Sequence, residues 1–139
     1  MKNNIYKGYI ASRNINGHPM PQRIQNMVIR LYAEKRGKIF SLSATEYIMD
    51  NCFMMLKALA NDASQFEAIA LYSMYLLPDK KIERYQVYDS FLAAGAELHF
   101  AFEELAIKSK NDIQLIEDIL LAKNLSQTIQ ESPWPYENL

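Results

Sequence analysis

Phe66-Glu67-Ala68-Ile69-Ala70-Leu71-Tyr72 decides the fold. The run is nearly unbroken in apolar residues and has the length of one strand. A strand that is hydrophobic on both sides must be buried on both sides, which points to a parallel sheet covered by helices on its two faces. The flanking segments agree with this. Upstream, Lys38 to Ser43 reads as a strand. Asn51 to Ala60 follows as a helix, with Asp50 as its cap and Phe53, Leu56, Leu59 and Ala60 as its inward face. Asn61 and Asp62 end it. Earlier still, Ile5 to Ser12 reads as a first strand, and Arg13 to Met20 as a polar loop rich in turn residues. Pro21 suits the first turn of a helix, where its missing N–H costs nothing. That helix carries Ile24, Met27, Val28 and Leu31 as an apolar stripe and stops at Gly37.

Downstream, Pro78 and Asp79 open a third helix that stops at Gly95. Glu97 to Phe102 is a fourth strand. Ser109 and Asp112 have the spacing of a capping box for a last helix, whose stripe is Ile113, Ile116, Ile119 and Leu120. The expected fold is therefore α/β. It has three layers, with a four-stranded, mostly parallel sheet and helices on both faces joined by right-handed crossovers, the flavodoxin-like plan. Residues 1–131 are expected to form one domain. Residues 132–139, with Pro133, Trp134, Pro135 and Tyr136, are expected to be an irregular tail.

Composition removes several function classes. At 139 residues, the chain can bury a core without staples. With Cys52 alone, no internal disulfide can form. The opening MKNNIYKGYI lacks the apolar core of a signal peptide, and no apolar run approaches the ~18 residues of a membrane span. A reducing cytoplasm is the expected home, with no membrane partner. The net charge of −1, without a basic stripe, argues against a nucleic-acid partner. The two histidines have no cysteine pair near them, so no metal is expected. No Gly-rich phosphate loop and no G-x-S-x-G elbow occurs, and no cofactor is expected.

In open α/β sheets, ligands bind outside the carboxyl ends of the strands. That rule gathers Ser12, Arg13 and Asn14 after the first strand, and Ser43, Thr45, Glu46 and Tyr47 after the second. Tyr72 and Ser73 follow the third strand, and Glu103 the fourth. Hydroxyls, a guanidinium and carboxylates are the groups that hold a sugar or a phosphate. Arg13 can grip an anion bidentately. Glu46 is the first candidate acid/base, with Tyr72 and Ser73 as hydrogen-bonding partners. Each has a plainer reading: Ser43 and Glu46 fit S-x-x-E, a helix capping box, and Tyr72 can end a buried strand. Cys52, near a helix N-terminus, is either a nucleophile favoured by the dipole or a small core residue. His99 reads as a hydrogen-bonded core histidine, while His18 lies within reach of the strand ends.

Two resemblances follow from the motifs. GYIASR (8–13), AIALYSMYLL (68–77) and LHFAFEEL (98–105) resemble the opening strand, the strand before the D-R-L-x-R motif and the last core strand of serine recombinase (resolvase) catalytic domains. Gln22 and Gln25 fall where that family carries helix glutamines, which adds Gln22 to the binding candidates. The family's Arg-x-Ser becomes Ala11 and Arg13, and its Asp and two Arg become Tyr75, Leu76 and Asp79. Strand exchange needs those arginines to hold the scissile phosphate. The resemblance therefore implies a resolvase-like fold without the reaction.

The chain also resembles the sporadic carbohydrate cluster proteins of bacterial surface-polysaccharide genes. PQRIQNMVIRLY (21–32), SLSATEY (41–47), CFMMLKAL (52–59), LYSMYLLP (71–78) and IEDILLAK (116–123) carry that likeness along with GYIASR and LHFAFEEL. It implies a role in surface-carbohydrate biosynthesis, binding or modifying a sugar, sugar phosphate or nucleotide sugar, and transfers no catalytic residue. The alternatives are a non-catalytic binding or assembly module and a degenerate recombinase-like protein. For an assembly role, the last helix and the Trp134 tail are the expected surface for a second copy of the chain.

Overall fold

The computed structural model describes residues 3–47 and 52–131. Nine elements run in the order β1 (Ile5–Ala11), α1 (Gln22–Lys35), β2 (Ile39–Glu46), α2 (Met54–Asp62), β3 (Ala68–Leu71), α3 (Lys81–Ala93), β4 (Glu97–Phe100), β5 (Leu105–Ile107) and α4 (Ile113–Glu131). Short 3-10 turns precede β3, α3 and α4 at Ala63–Gln65, Met74–Leu76 and Lys110–Asp112.

The α/β plan holds, with one strand more than the sequence suggests. The sheet order is β2-β1-β3-β4-β5. The first four strands are parallel, and β5 closes the edge antiparallel to β4. β5 is only three residues long and returns through a tight turn in which Glu104 takes φ 56° without being glycine. No turn-forming glycine, proline or asparagine marks it, so the sequence hides the hairpin. β3, the core of the opening heptapeptide, is fully buried at all four positions, as a central parallel strand must be.

α1 sits on one face of the sheet, where Tyr32 meets Tyr6 and His99. α2 and α3 lie on the other. The expected stripe of α1 is rotated. Gln25, Ile29, Tyr32 and Ala33 face inward, while Met27 and Leu31 are 50% and 52% exposed. A polar residue governs that rotation. The Gln25 amide accepts from Ala11 N (3.1 Å) and donates to Ala11 O (2.8 Å) and Met20 O (2.9 Å), tying the end of β1 to the helix. Hydrophobic periodicity cannot register such a clamp, because the backbone groups it satisfies belong to another element. Gly37 ends α1 with φ 68°, as expected of a C-terminal glycine.

Two further boundaries shift. β2 runs on to Glu46, so SATEY continues the strand and Ser43–Glu46 does not open a helix. α3 begins only at Lys81, because the Met74–Leu76 turn fills the exit from β3. The Ser109–Asp112 start of the last helix is present: the Asp112 carboxylate accepts from Lys108 N at 2.9 Å and Ser109 N at 3.2 Å. Ile113 and Ile116 of α4 are buried, and Ile119 and Leu120 pack at the core margin. α4 is locked to α3 by a bidentate Arg84–Glu117 pair (2.7 and 2.8 Å), with Tyr88 Oη donating to the same carboxylate. Among the described residues, no helix is long and apolar enough to cross a membrane. Asp50 as a cap and the Trp134 tail lie outside the described residues.

Candidate functional site

Two cavities open at the carboxyl ends of the strands. The larger, about 540 Å³, is walled by Arg13, Asn14 and Asn16 from the β1 loop, by Tyr75 and Asp79 from the β3 exit, and by Lys123 from α4. The smaller, about 270 Å³, is lined by His18, Met20, Tyr72, Ser73, Phe102 and Glu103. Asn16 and Tyr75 line both, so the two spaces adjoin. Asn16 holds φ 54°, a left-handed conformation that asparagine tolerates better than most residues, and it turns the β1 loop over the shared wall.

Arg13 is placed by three contacts, one of them with the Tyr9 hydroxyl. Its Nη2 donates to Leu76 O at 2.8 Å, and its guanidinium lies over the Phe53 ring, 4.9 Å from the centroid. Among the described residues it has no carboxylate within ion-pair distance, so its charge is left for the cavity. Lys123, stacked 5.9 Å from the centre of the Tyr75 ring, is a second cation on the same space and also lacks an ion pair there. Arg84 lines the wall too, but Glu117 neutralises it.

Glu103 gives the smaller cavity its character. Its carboxylate accepts from Ser73 Oγ (2.6 Å) and Met74 N (3.0 Å), which anchors the 3-10 turn after β3. Burial raises its pKa above the ordinary glutamate value, and these hydrogen bonds offset that only in part. Tyr72 packs on Phe102 with ring centres 5.8 Å apart. Burial raises the phenol pKa of Tyr72 and of Tyr75, and the Glu103 charge adds to the shift in both, so both stay protonated donors at neutral pH.

The β2 end is different. The Glu46 carboxylate accepts from Met55 N (3.0 and 3.1 Å), Leu56 N (3.3 Å) and Tyr9 Oη (2.9 Å). It caps α2 from a neighbouring strand, satisfying N–H groups that a helix cannot pair internally. The Cys52 thiol donates to the same carboxylate at 3.8 Å. Neither residue lines the strand-end cavities.

The remaining expected residues divide similarly. Ser43 donates to Asn26 Oδ1 at 2.6 Å, beneath α1. Thr45 is half-buried in the β1–β2 ladder opposite Ile10, and Tyr47 is exposed beyond the strand. Gln22 is half-buried on the first turn of α1, while Gln25 makes the polar clamp. The Ser12 amide donates to Glu46 O at 2.9 Å, and its hydroxyl is buried without a hydrogen-bond partner among the described residues. The strand-end cavities therefore bring together Arg13, Asn14, Tyr72, Ser73 and Glu103, and Glu46, Cys52, Ser43, Thr45, Tyr47 and Gln22 do not line them. Sequence reasoning did not place Lys123 or Asn16 at the site. Lys123 arrives on a helix more than a hundred residues downstream, and no local pattern announces that.

The sequence matches no protein-family model, and it matches no curated protein. Among solved structures, it is similar to the N-terminal catalytic domain of TP901-1 integrase. The identity is 21%, covering 91% of this chain and 99% of that one, with a TM-score of 0.62. The fold is resolvase-like.

Proposed function

We propose that this is a recombinase-fold domain turned to small-ligand binding, which holds a sugar phosphate or nucleotide-linked sugar at the strand ends. The observation that carries this reading is the pair of adjoining cavities with unlike linings. The larger presents Arg13 and Lys123, cations without ion-pair partners among the described residues, and suits a phosphate. The smaller presents the Tyr72 and Phe102 rings beside Glu103 and His18, apolar faces next to hydrogen-bonding groups, and suits a sugar ring. Asn16 and Tyr75, on the shared wall, would span the linkage between the two. A place in surface-carbohydrate biosynthesis is the context that this ligand class and the sequence resemblance favour. Glu103 is the one carboxylate of the sugar subsite and would accept from sugar hydroxyls. Glu46, committed to capping α2, has no part in this reading.

The fold likeness favours a second reading, in which the cationic cavity takes a nucleic-acid phosphate. A thermal-shift screen against sugar phosphates, nucleotide sugars, free sugars and short duplex DNA separates the two. A ligand at about 100 times its Kd stabilises by about 2.7 kcal/mol. We expect nucleotide sugars or sugar phosphates to stabilise the wild type, and the effect to vanish in Arg13→Ala and Lys123→Ala. Stabilisation by duplex DNA alone would replace the first reading with the second. No stabilisation by any phosphate-bearing ligand would sink both.

A further inference from the structure

A third cavity lies away from the strand ends, on the face of the sheet that α1 covers only in part. It measures about 380 Å³ and shares no lining residue with the other two. Its floor is aromatic and buried: Tyr6 and Tyr32 flank His99, with ring centres 4.8 and 5.6 Å from the imidazole. A single chain of hydrogen bonds crosses it. His99 Nδ1 lies 2.5 Å from Tyr32 Oη, and Nε2 lies 2.8 Å from Glu97 Oε1.

Burial lowers the His99 pKa and keeps the ring neutral, and the Glu97 hydrogen bond offsets this only in part. A neutral ring has one N–H. With Glu97 ionised, that proton belongs on Nε2, so Nδ1 accepts from the Tyr32 hydroxyl. The Tyr32 oxygen, which also accepts from the Arg36 side chain, keeps one lone pair for an incoming donor.

The rim is cationic. Arg36 lies 3.5 Å over the Tyr32 ring and donates to Tyr32 O at 3.1 Å. Lys108, which follows β5, lines the same cleft. Neither has a carboxylate within ion-pair distance among the described residues. Lys38 is paired with Glu67 at 2.9 Å, and Glu104 is the acidic group of the lining. Both Arg36 and Lys108 act electrostatically on His99, so their charges converge on the one space. Arg36 also finds a favourable place at the carboxyl end of α1, where a cation meets the helix dipole. That accounts for its position and leaves Lys108, on the same cleft, unexplained.

We propose that this cleft is a second anion site, taking hydrogen phosphate between Arg36 and Lys108, with its P–OH donating to Tyr32 Oη. The site is independent of the strand-end reading. Inorganic phosphate is the probe. NMR of the His99 ring at pH 7 should show a saturable shift on titration with phosphate and none with chloride at equal ionic strength. In Arg36→Ala and in Lys108→Ala, both at exposed positions, the apparent affinity should fall by about tenfold, the loss of one charge-assisted contact. In Arg13→Ala it should not change. A bound anion also favours protonated His99, so the ring should titrate at higher pH in phosphate than in chloride. The proposal is overturned if chloride gives the same ring shift, if both rim variants keep the wild-type affinity, or if Arg13→Ala alone abolishes the response.

Discussion

Glu46 and Glu103 both stand at the carboxyl edge of the sheet, and they do different work. Glu46 ends β2 where a helix N-terminus faces it, and its oxygens are taken by two backbone amides, a tyrosine hydroxyl and a thiol. Glu103 follows β4 where no long helix begins. It holds one serine hydroxyl and one amide, and it faces a cavity. A carboxylate after a strand becomes part of the fold or part of a site according to what starts opposite it. The donors of α2 settle the matter for Glu46. The short Met74–Leu76 turn leaves Glu103 with acceptor capacity to spare.

The strongest way to break this contrast is Glu46→Ala. It removes the cap of α2 and strands the Tyr9 hydroxyl and two amides in a buried setting. We expect a loss of about 3 kcal/mol in chemical denaturation, with ligand affinity unchanged in the fraction that folds. Intact stability with binding abolished would make Glu46 a site residue after all.

A smaller effect separates the tyrosines on the two sides. Tyr9→Phe deletes one buried hydrogen bond to Glu46 and should cost about 1 kcal/mol. Tyr72→Phe should change stability by less than about 0.5 kcal/mol and weaken sugar-phosphate binding instead. Equal costs in the two variants would erase the distinction.

The smallest expected effect is in pH dependence. The Glu103 pKa is raised in the folded state, so the folded protein holds this proton more tightly than the unfolded chain does. Its stabilising contribution is complete below the unfolded value and is lost as pH rises through the folded one. Glu103→Gln should therefore flatten the fall in melting temperature on the alkaline side of that range. At pH 7 it should leave stability equal or higher while weakening ligand binding. A variant that is less stable than wild type at pH 7 would place Glu103 with Glu46, among the structural carboxylates.

The sequence makes the architecture legible where one physical demand dominates. The run around Ile69 suits a strand covered on both faces, and Asp112 three residues after Ser109 suits a helix start, and both readings hold. It fails where a residue answers to a distant partner. Gln25 sits in an amphipathic pattern, yet its amide serves the backbone of Ala11, and that turns the whole of α1 away from the expected stripe. Glu46 has capping-box spacing from Ser43, and capping is indeed its role, but for a helix eight residues further on. Arg13 could be placed at the strand ends by rule, whereas Lys123 could not, because its approach depends on how α4 folds back across α3. Leu105-Ala106-Ile107 is too short to show any periodicity.

The strand order has a consequence for how the protein is made. Of the five strands β1 leaves the ribosome first, yet it ends inside the sheet, between β2 and β3. Its ladder to β2 needs the chain as far as residue 46, but its ladder to β3 waits until about residue 71 has been synthesised, and those pairings are long-range contacts that form slowly. Until then Tyr9, Ile10 and Ala11, all buried in the finished protein, stand open to solvent. The last-made strand, β5, only trims an edge. A change in the first dozen residues is therefore felt at the centre of the molecule, and the nascent chain is most exposed to misassociation before its first strand is enclosed.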